Sequence, residues 1–269
     1  MNRPDHEDRK GRDVESAFVR QTLLDRNLVR SAEPDDVAPI RLLPWLEVVV
    51  LGGSTIVDRG RDVLVPLVEE LRGLITGGDH RMLLLTGAGV RARHVLGVGL
   101  DLGLPAGALA GLAATEAEQN GRLVASLLAA EGVSYLPHQT VAGQLPVHLA
   151  AANAAVSNGY PPYGVHEFPT PSAGRLPVHR TDTGALLLAD AFGAQRLVYV
   201  RDAATLKGLP EEVSAKELLY RDGNLPIDRL ALERLGLARH VRSLTLVDGT
   251  TRGGLTGGLD GAGVTVTAD

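Results

Sequence analysis

The feature that most constrains the fold is a buried-strand pattern that ends in glycine and occurs twice. Residues Leu46–Leu51 form a mostly apolar, β-branched run that stops at Gly52 and Gly53. A second apolar run, Met82–Leu85, stops at Thr86–Gly89. Apolar runs bounded by glycine are typical of strands that are buried on both faces. The pattern therefore predicts a sheet with helices on both of its faces.

The rest of the chain continues the alternation of strands and helices. Further strands are predicted at Val133–Leu136, Ala154–Ser157, Arg196–Val200, Ser243–Val247 and Gly263–Thr267. Helices are predicted from apolar spacing and composition at Asp62–Leu74, Ala92–Leu102, Ala108–Glu131, Val141–Leu149, Thr183–Phe192 and Leu230–Arg239. This alternation indicates an α/β domain with a mostly parallel sheet.

Three segments fall outside the alternation. We expect residues 1–40 to form a charged, partly disordered N-terminal arm and residues 41–269 to form the domain. Gly159–Arg180 contains five prolines and is expected to be a long functional loop. Gly249–Gly258 is predicted to be a loop rather than a helix or strand.

Composition excludes several classes of protein. The chain has no cysteine, which excludes disulfides, zinc–thiolate sites and cysteine nucleophiles. A net charge of −5 and an aromatic content of 3% argue against nucleic-acid binding. The N-terminal segment lacks the apolar core of a signal peptide, and no apolar run is long enough to span a bilayer. We therefore expect a cytoplasmic protein with no membrane and no nucleic-acid partner.

The two glycine turns are candidate sites for an anion. Glycine lets backbone N–H groups approach an anion, and a following helix adds the positive end of its dipole. The candidate phosphate- or anion-binding residues are Gly52, Gly53, Gly87, Ala88, Gly89, Arg91 and Arg93. The alternative is that the glycines only make turns, because neither loop has Walker A or Rossmann spacing.

The order of these motifs resembles the amino-acid-kinase superfamily, which includes uridylate kinases and aspartokinases. The strand that ends at Gly52–Gly53, then Thr86–Gly89, then Arg180–Gly184, lie in the order found there. A narrower resemblance is to the molybdenum storage proteins, non-kinase relatives, and in particular to their α subunit. It is carried by Arg41–Leu46, Leu85–Val95, Val98–Pro105, Glu131–Tyr135, Pro161–Tyr163, His166–Pro169 and Ala189–Gly193.

The resemblance implies a fold, an assembly and a cargo. The fold is a three-layer αβα sandwich with a mostly parallel central sheet. The assembly is a hexamer of two related subunit types, so that the expected partners are further copies of the chain or a paralogous subunit. The cargo is molybdate or tungstate in polyoxometalate clusters, with ATP used in loading.

Two departures from the kinase pattern argue against phosphotransfer. Kinases of the superfamily carry a lysine in the first strand, in the pattern Lys-hydrophobic-Gly-Gly, and here Val50 stands in its place. Arg59 or Arg61 is an alternative source of the missing charge. The family's Asp-Gly nucleotide loop is replaced by a shorter segment, Arg201–Pro210, which argues against a normal site for ATP and Mg²⁺.

Asp182 has two interpretations. In the kinases that the chain resembles, the matching segment lies beside the phosphates, which makes Asp182 a candidate anion-site residue. The alternative is that Asp182 caps the helix predicted to begin at Thr183.

Histidines are concentrated in one part of the chain. His138, His148, His166 and His179 are four of its eight histidines. Imidazole can hydrogen-bond an oxyanion or ligate an oxometal centre. By resemblance to the storage proteins, the candidate metal-oxide cluster residues are His138, His148 and His166, with Glu131 and Gln144 as neighbours. The alternative is that single histidines on loops are solvated or bind a carbonyl group.

Three functions follow from these residues. The first is a non-kinase subunit that binds and stores an oxyanion or a metal oxide. The second is a nucleotide-dependent phosphotransferase of the uridylate kinase type. The third is a catalytically silent partner of an active paralogue. The retained glycine loops, the histidines and Val50 favour the first.

Overall fold

A computed structural model describes residues 39–160, 176–177, 179–221 and 223–268. The chain divides into the units Met1–Pro39 and Ile40–Asp269, and all described strands and helices belong to the second. The predicted arm of residues 1–40 thus lies, except for its last two residues, outside the described residues. Among the helices described, none is both long and apolar enough to cross a membrane.

Seven strands in the described ranges form one sheet. They are β1 Glu47–Leu51, β2 Met82–Thr86, β3 Ala154–Asn158, β4 Arg196–Arg201, β5 Glu212–Ser214, β6 Ser243–Asp248 and β7 Val264–Thr267. Their order across the sheet is β3-β2-β1-β4-β6-β7-β5. The five strands β3, β2, β1, β4 and β6 are parallel to one another, whereas β7 runs antiparallel to β6 and parallel to β5. The predicted mostly parallel sheet is confirmed.

Helices connect the strands. They are α1 Arg61–Gly77, α2 Arg91–Asp101, α3 Ala106–Leu127, α4 Val141–Ala152, α5 Thr181–Phe192, α6 Ala203–Leu206, α7 Ala215–Tyr220, α8 Arg229–Leu235 and α9 Gly254–Leu259. Short 3₁₀ turns lie at Val57–Arg59, Ala129–Glu131 and His138–Thr140.

The sheet separates two hydrophobic cores. Alternate residues of β1 point to opposite faces, so that Val48 and Val50 enter one core while Val49 and Leu51 enter the other. The core of Val48 and Val50 is covered by α4, α5, α7 and α8, and the second core is covered by α1, α3 and α9. The chain is therefore a three-layer αβα sandwich, as the resemblance implied.

The strand order places a crevice between β1 and β4. From β1 the chain moves outward to β2 and β3 on one side, and it then returns to lay β4 on the other side of β1. Ligands of parallel α/β sheets bind where the strand order reverses in this way, outside the carboxyl ends of the strands. Here those ends are the residues that follow Leu51 and Arg201.

The structure corrects two of the sequence predictions. The segment predicted as a strand at Val133–Leu136 pairs with β3 only through an isolated bridge between Tyr135 and Val156, because Pro137 follows and has no N–H for a ladder. Within the predicted loop Gly249–Gly258, helix α9 begins at Gly254. The carboxylate of Glu70 accepts hydrogen bonds from the backbone N–H groups of Gly253 and Thr256, which caps this glycine-rich helix from outside.

The short edge strand β5 was not predicted. Its three residues, Glu212–Ser214, carry a single buried side chain, Val213, and such a run has no strand periodicity to recognise.

Candidate functional site

A cleft of about 670 Å³ opens at the carboxyl ends of β1, β2 and β4. Its walls include the two glycine loops, Gly52–Thr55 and Gly87–Gly89, and one face of α2 from Ala92 to Leu100. The start of α5 and the end of β4 complete it together with Pro226 and Asp228. The N-terminal ends of α2 and α5, which carry partial positive charge, thus both border the cleft.

The two glycine loops pack backbone against backbone. A Cβ atom added to Gly53 would overlap the backbone of Gly89, and one added to Gly87 would lie 2.9 Å from the backbone nitrogen of Gly53. The Gly87 N–H donates to the carbonyl oxygen of Leu51 at 3.1 Å. Side chains at positions 53 and 87 would separate the loops, so glycine is required here for close approach. The structure brings together all five predicted loop residues, Gly52, Gly53, Gly87, Ala88 and Gly89.

The two arginines that follow the second glycine loop have different positions. Arg93 lines the cleft. Arg91 does not, because its guanidinium binds Glu116 at 3.1 Å and the side-chain oxygen of Asn120. Asn120 in turn donates to the carbonyl oxygen of Gly87 at 2.7 Å. Arg91 therefore supports the loop from behind.

Asp182 is buried in the cleft wall, where its carboxylate binds two protein donors. One oxygen accepts from Nη2 of Arg201 at 2.6 Å, and the other accepts from the backbone N–H of Asp228 at 3.0 Å. Helix α5 begins at Thr181 with Arg180 at its N-cap position and no side-chain cap. The interpretation of Asp182 as a helix cap is therefore wrong, because its carboxylate binds Arg201 and the backbone of Asp228 instead.

Arg201 is the last residue of β4, and its side chain is buried in the cleft wall. Its exposed fraction is 5%. Nε donates to the carbonyl oxygen of Pro226 at 3.0 Å, and Nη1 donates to that of Val200 at 3.1 Å. The guanidinium also lies over the ring of Tyr199, 5.1 Å from its centroid. These contacts fix the cation in one orientation.

Asp228 adds a second carboxyl group next to Asp182. Burial, and next the negative charge of Asp182, raise the pKa of Asp228 from 3.8 to about 7. One of its carboxyl oxygens is buried without a hydrogen-bond partner among the described residues. Burial also raises the pKa of Tyr160, which lines the same cleft, to about 12. The cleft thus holds a proton-bearing carboxyl group near neutral pH.

At the position where the kinases carry lysine, this chain has a buried side chain. Val50 is fully buried, and in the sheet it lies between Leu85 of β2 and Tyr199 of β4. The Tyr199 hydroxyl donates to the carbonyl oxygen of Asp182 at 2.8 Å. Arg59 and Arg61, the other candidates for the missing charge, are exposed and do not line the cleft.

The predicted metal-oxide residues lie away from the cleft. Glu131 binds Arg72 of α1 at 3.0 Å, and Gln144 and His148 lie one turn apart on α4. His166 is outside the described residues. None of the four described residues lines the cleft, and the described ranges contain no group of three His, Cys, Asp or Glu that could hold a metal ion.

His138 is the most defined of these residues chemically. Its Nδ1 lies 2.8 Å from the carbonyl oxygen of Asn158, and the ring is buried. Because a carbonyl oxygen only accepts, Nδ1 carries the proton, and burial lowers the pKa of the ring. Nε2 then presents a lone pair, as a metal ligand must. Asn158 also accepts from the backbone N–H of Tyr160, so His138 stands directly behind a cleft residue.

Sequence reasoning missed Arg201 and Asp228 as site residues. Arg201 had a usable signal, because it directly follows the predicted strand Arg196–Val200 and strand ends of this kind line ligand sites. Asp228 had none, because only the folded chain brings residues after α7 next to Asp182.

Comparisons with known proteins define the class. Residues 45–219 match the amino acid kinase family, and the chain belongs to that family. Its solved structural neighbours include the uridylate kinase of Archaeoglobus fulgidus, with a TM-score of 0.62 and 17% identity over 82% of this chain and 99% of the other. The UMP kinase of Bacillus anthracis gives a TM-score of 0.59 and 14% identity over 84% of this chain and 97% of the other. At such identities these neighbours support the fold alone.

A nearer relative comes from Azotobacter vinelandii. The chain is 34% identical over 273 residues to its molybdenum storage protein subunit beta, and the match covers 95% of this chain and 97% of that protein. The resemblance to molybdenum storage proteins is confirmed, and the matched relative is a beta subunit.

Proposed function

We propose that this chain binds an oxyanion in the cleft and acts as a molybdate or tungstate storage subunit of a hexameric assembly, without working as a kinase. The observation that carries the proposal is that the two glycine loops line a cleft, whereas a buried valine stands where the kinases carry lysine. The glycine loops and Arg201 surround the cleft, whereas Val50 lies inside the core. Such a site holds an anion without the mobile cation that follows a transferring phosphoryl group.

Replacement of the lysine by valine should lower the rate of phosphotransfer. A preorganised donor aimed at developing charge contributes on the order of 10²–10³-fold to the rate. Valine contributes nothing of this kind. The nucleotide segment is also short: Asp202 caps the four-residue helix α6, and the chain then reaches β5 within a few residues. The missing lysine and the short nucleotide segment both support anion binding rather than phosphoryl transfer.

The cargo and the partners are proposed from the relative. A storage protein holds its metal as an oxide, so molybdate or tungstate is the substrate rather than a resident cofactor. We propose that His138, through Nε2, and the α4 face of Gln144 and His148 contact the metal oxide, with Glu131 and His166 as further candidates. The relative is named as a subunit, which supports assembly with copies of this chain or with a paralogue.

Elemental analysis tests the storage function. The protein is purified from cells fed with molybdate or with tungstate, and the metal is counted per chain after exhaustive dialysis. We expect many metal atoms per chain and a native mass of six chains. Metal contents far below one atom per chain in both preparations would reject storage.

The phosphotransferase alternative has its own assay. Because the order of the glycine motifs resembles that of uridylate kinases, transfer of phosphate from ATP to UMP is the reaction to measure. Turnover at an ordinary kinase rate would replace the storage proposal. Copurification of a second, lysine-bearing subunit that alone carries activity would favour the silent-partner function.

A further inference from the structure

We propose that Arg201 is the binding cation of the cleft, that it takes over the role of the lysine missing at Val50, and that anion binding therefore needs no divalent metal. The inference rests on the proposed oxyanion function and names the residue that performs it. No motif at position 201 marks this role, and Arg59 and Arg61, the nearer candidates in sequence, lie outside the cleft.

The first argument is position. The register of β1 and β4 sets Leu51 beside Val200, so Gly52 and Arg201 follow on either side of the crevice. A Cβ atom at Gly52 would lie only 3.4 Å from Nη1 of Arg201. The Thr55 hydroxyl oxygen lies in the same gap and is closer still to that Cβ position. Gly52, Thr55 and Arg201 all line the cleft, so an anion bound there would lie beside both the first glycine loop and the guanidinium.

The second argument is preorganisation. A guanidinium has five N–H donors and keeps its charge at all ordinary pH values. The contacts in the described part of the chain use one N–H on each of the three nitrogens, toward Pro226, Val200 and Asp182. One N–H on each terminal nitrogen therefore makes no hydrogen bond to the described residues and could donate to a ligand. The side chain is already ordered, so an anion does not have to order it on binding.

The third argument is charge. Among the described residues, three guanidinium groups line the cleft, those of Arg93, Arg180 and Arg201, against the carboxyl groups of Asp182 and Asp228. Protonation of Asp228 near neutral pH leaves the balance positive. Both oxygens of Asp182 already accept from N–H groups, and its negative charge is paired with Arg201, so the carboxylate offers a divalent cation little uncompensated charge. Arg201 thus supplies the positive charge that a divalent metal would otherwise supply to a bound anion.

The test measures anion affinity with sodium molybdate and inorganic phosphate as probes. Titration calorimetry is run on the full chain in EDTA and again with Mg²⁺. We expect binding in EDTA, and a loss of about tenfold or more in Arg201→Gln, since a charge-assisted hydrogen bond is removed. Arg196→Gln is the matched control, because Arg196 lies at the other end of the same strand and also pairs with a buried carboxylate, Glu47 at 2.7 Å. It should change affinity by less than about twofold.

A second pair of variants separates binding from folding. Asp182→Asn removes the charge that Arg201 would leave unpaired, and the double variant Asp182→Asn with Arg201→Gln keeps two hydrogen-bonding amides in place. The double variant should bind about tenfold or more weakly than Asp182→Asn alone. Equal affinities in this pair, or binding by the wild type only in Mg²⁺, would overturn the role of Arg201 and leave oxyanion binding standing. A wild type that binds neither probe under either condition would overturn both.

Discussion

The backbone N–H of Asp228 donates to a carboxylate oxygen of Asp182 at 3.0 Å, so two carboxyl groups share one buried end of the cleft. Burial of Asp228, and next the repulsion between its carboxylate and that of Asp182, raise the pKa of Asp228 from 3.8 to about 7. In the folded chain Asp228 therefore keeps a proton that it loses in the unfolded chain. This difference makes both folding and binding depend on pH.

We expect Asp228 to make the fold less stable as the pH rises from about 4 to about 7. In that range the folded state binds more protons than the unfolded state, so the free energy of unfolding decreases by about 1.4 kcal/mol for each unit of pKa difference that is traversed. Above the folded pKa the loss is complete. Asp228→Asn should remove this slope, which denaturant titrations at pH 4, 5.5, 7 and 8 would measure.

Asp190 provides the opposite control for that experiment. Backbone N–H groups of His240, Val241 and Arg239 hold its pKa below the ordinary value despite the opposing effect of burial. Asp190 therefore stabilises the fold above its unfolded pKa, and this stability is lost as the pH falls. Asp190→Asn should weaken the fold at pH 7 and leave the Asp228 slope intact. If Asp228→Asn showed the same slope as the wild type, the raised pKa would be wrong.

Anion affinity should decrease as the pH rises above about 7, where Asp228 becomes charged. Below this pH, a dianion such as molybdate would bind beside the neutral side chain of Asp228. Above this pH, Asp228 carries a negative charge that repels the dianion. Calorimetry from pH 6 to pH 9 should show the decrease in the wild type. Asp228→Asn stays neutral and should bind with little change over the same range, whereas a parallel decrease in the variant would point to another group.

Val50→Lys should not produce a working kinase. The new ammonium group would be buried in the core between Leu85 and Tyr199, whereas the positive charge of Arg201 lies at the cleft. An unpaired buried charge costs several kcal/mol, so the thermal midpoint should fall sharply. Val50→Met, which adds length without charge, is the control and should lose less. UMP phosphorylation by Val50→Lys at a kinase-like rate would contradict the structure.

Gly53→Ala should weaken the fold and abolish anion binding together. The added methyl group would overlap the backbone of Gly89, so the two glycine loops have to separate. Gly73→Ala is the matched control, because Gly73 lies inside α1 and a Cβ atom added there would have no other atom within 4 Å. That change should stabilise the chain by about 0.5–1 kcal/mol and leave binding intact. Thermal melts with and without molybdate compare the two variants.

His138→Gln should reduce the molybdenum or tungsten retained per chain without changing anion affinity in the cleft. Glutamine can still donate to the Asn158 carbonyl, but it offers no imidazole lone pair. His80→Gln is the control, because His80 binds Glu47 at 2.7 Å, at the amino end of β1 and away from the cleft. Equal metal content in both variants and the wild type would remove His138 from the storage site.

The sheet and most helices were predictable because their signals are local. Strands β1 and β2 are short apolar runs with glycine at their ends, and α1 shows an apolar face, so periodicity suffices. Helix α9 was missed because its cap comes from Glu70, far away in sequence. The glycine loops were found for the same reason as the strands. The pairing of Arg201 with Asp182 was not, because a contact between distant residues leaves no periodic trace.

The site is built from parts of the chain that are far apart in sequence. The crevice needs Gly52, Gly87, Arg180, Arg201 and Asp228, and they meet only when β4 has closed against β1. An emerging or partly folded chain that lacks β4 therefore has no place for the anion. An oxyanion that binds at this site as proposed would bind only the completed domain, and it would stabilise that state by mass action. Under the proposed function, only fully folded chains would therefore take up the anion.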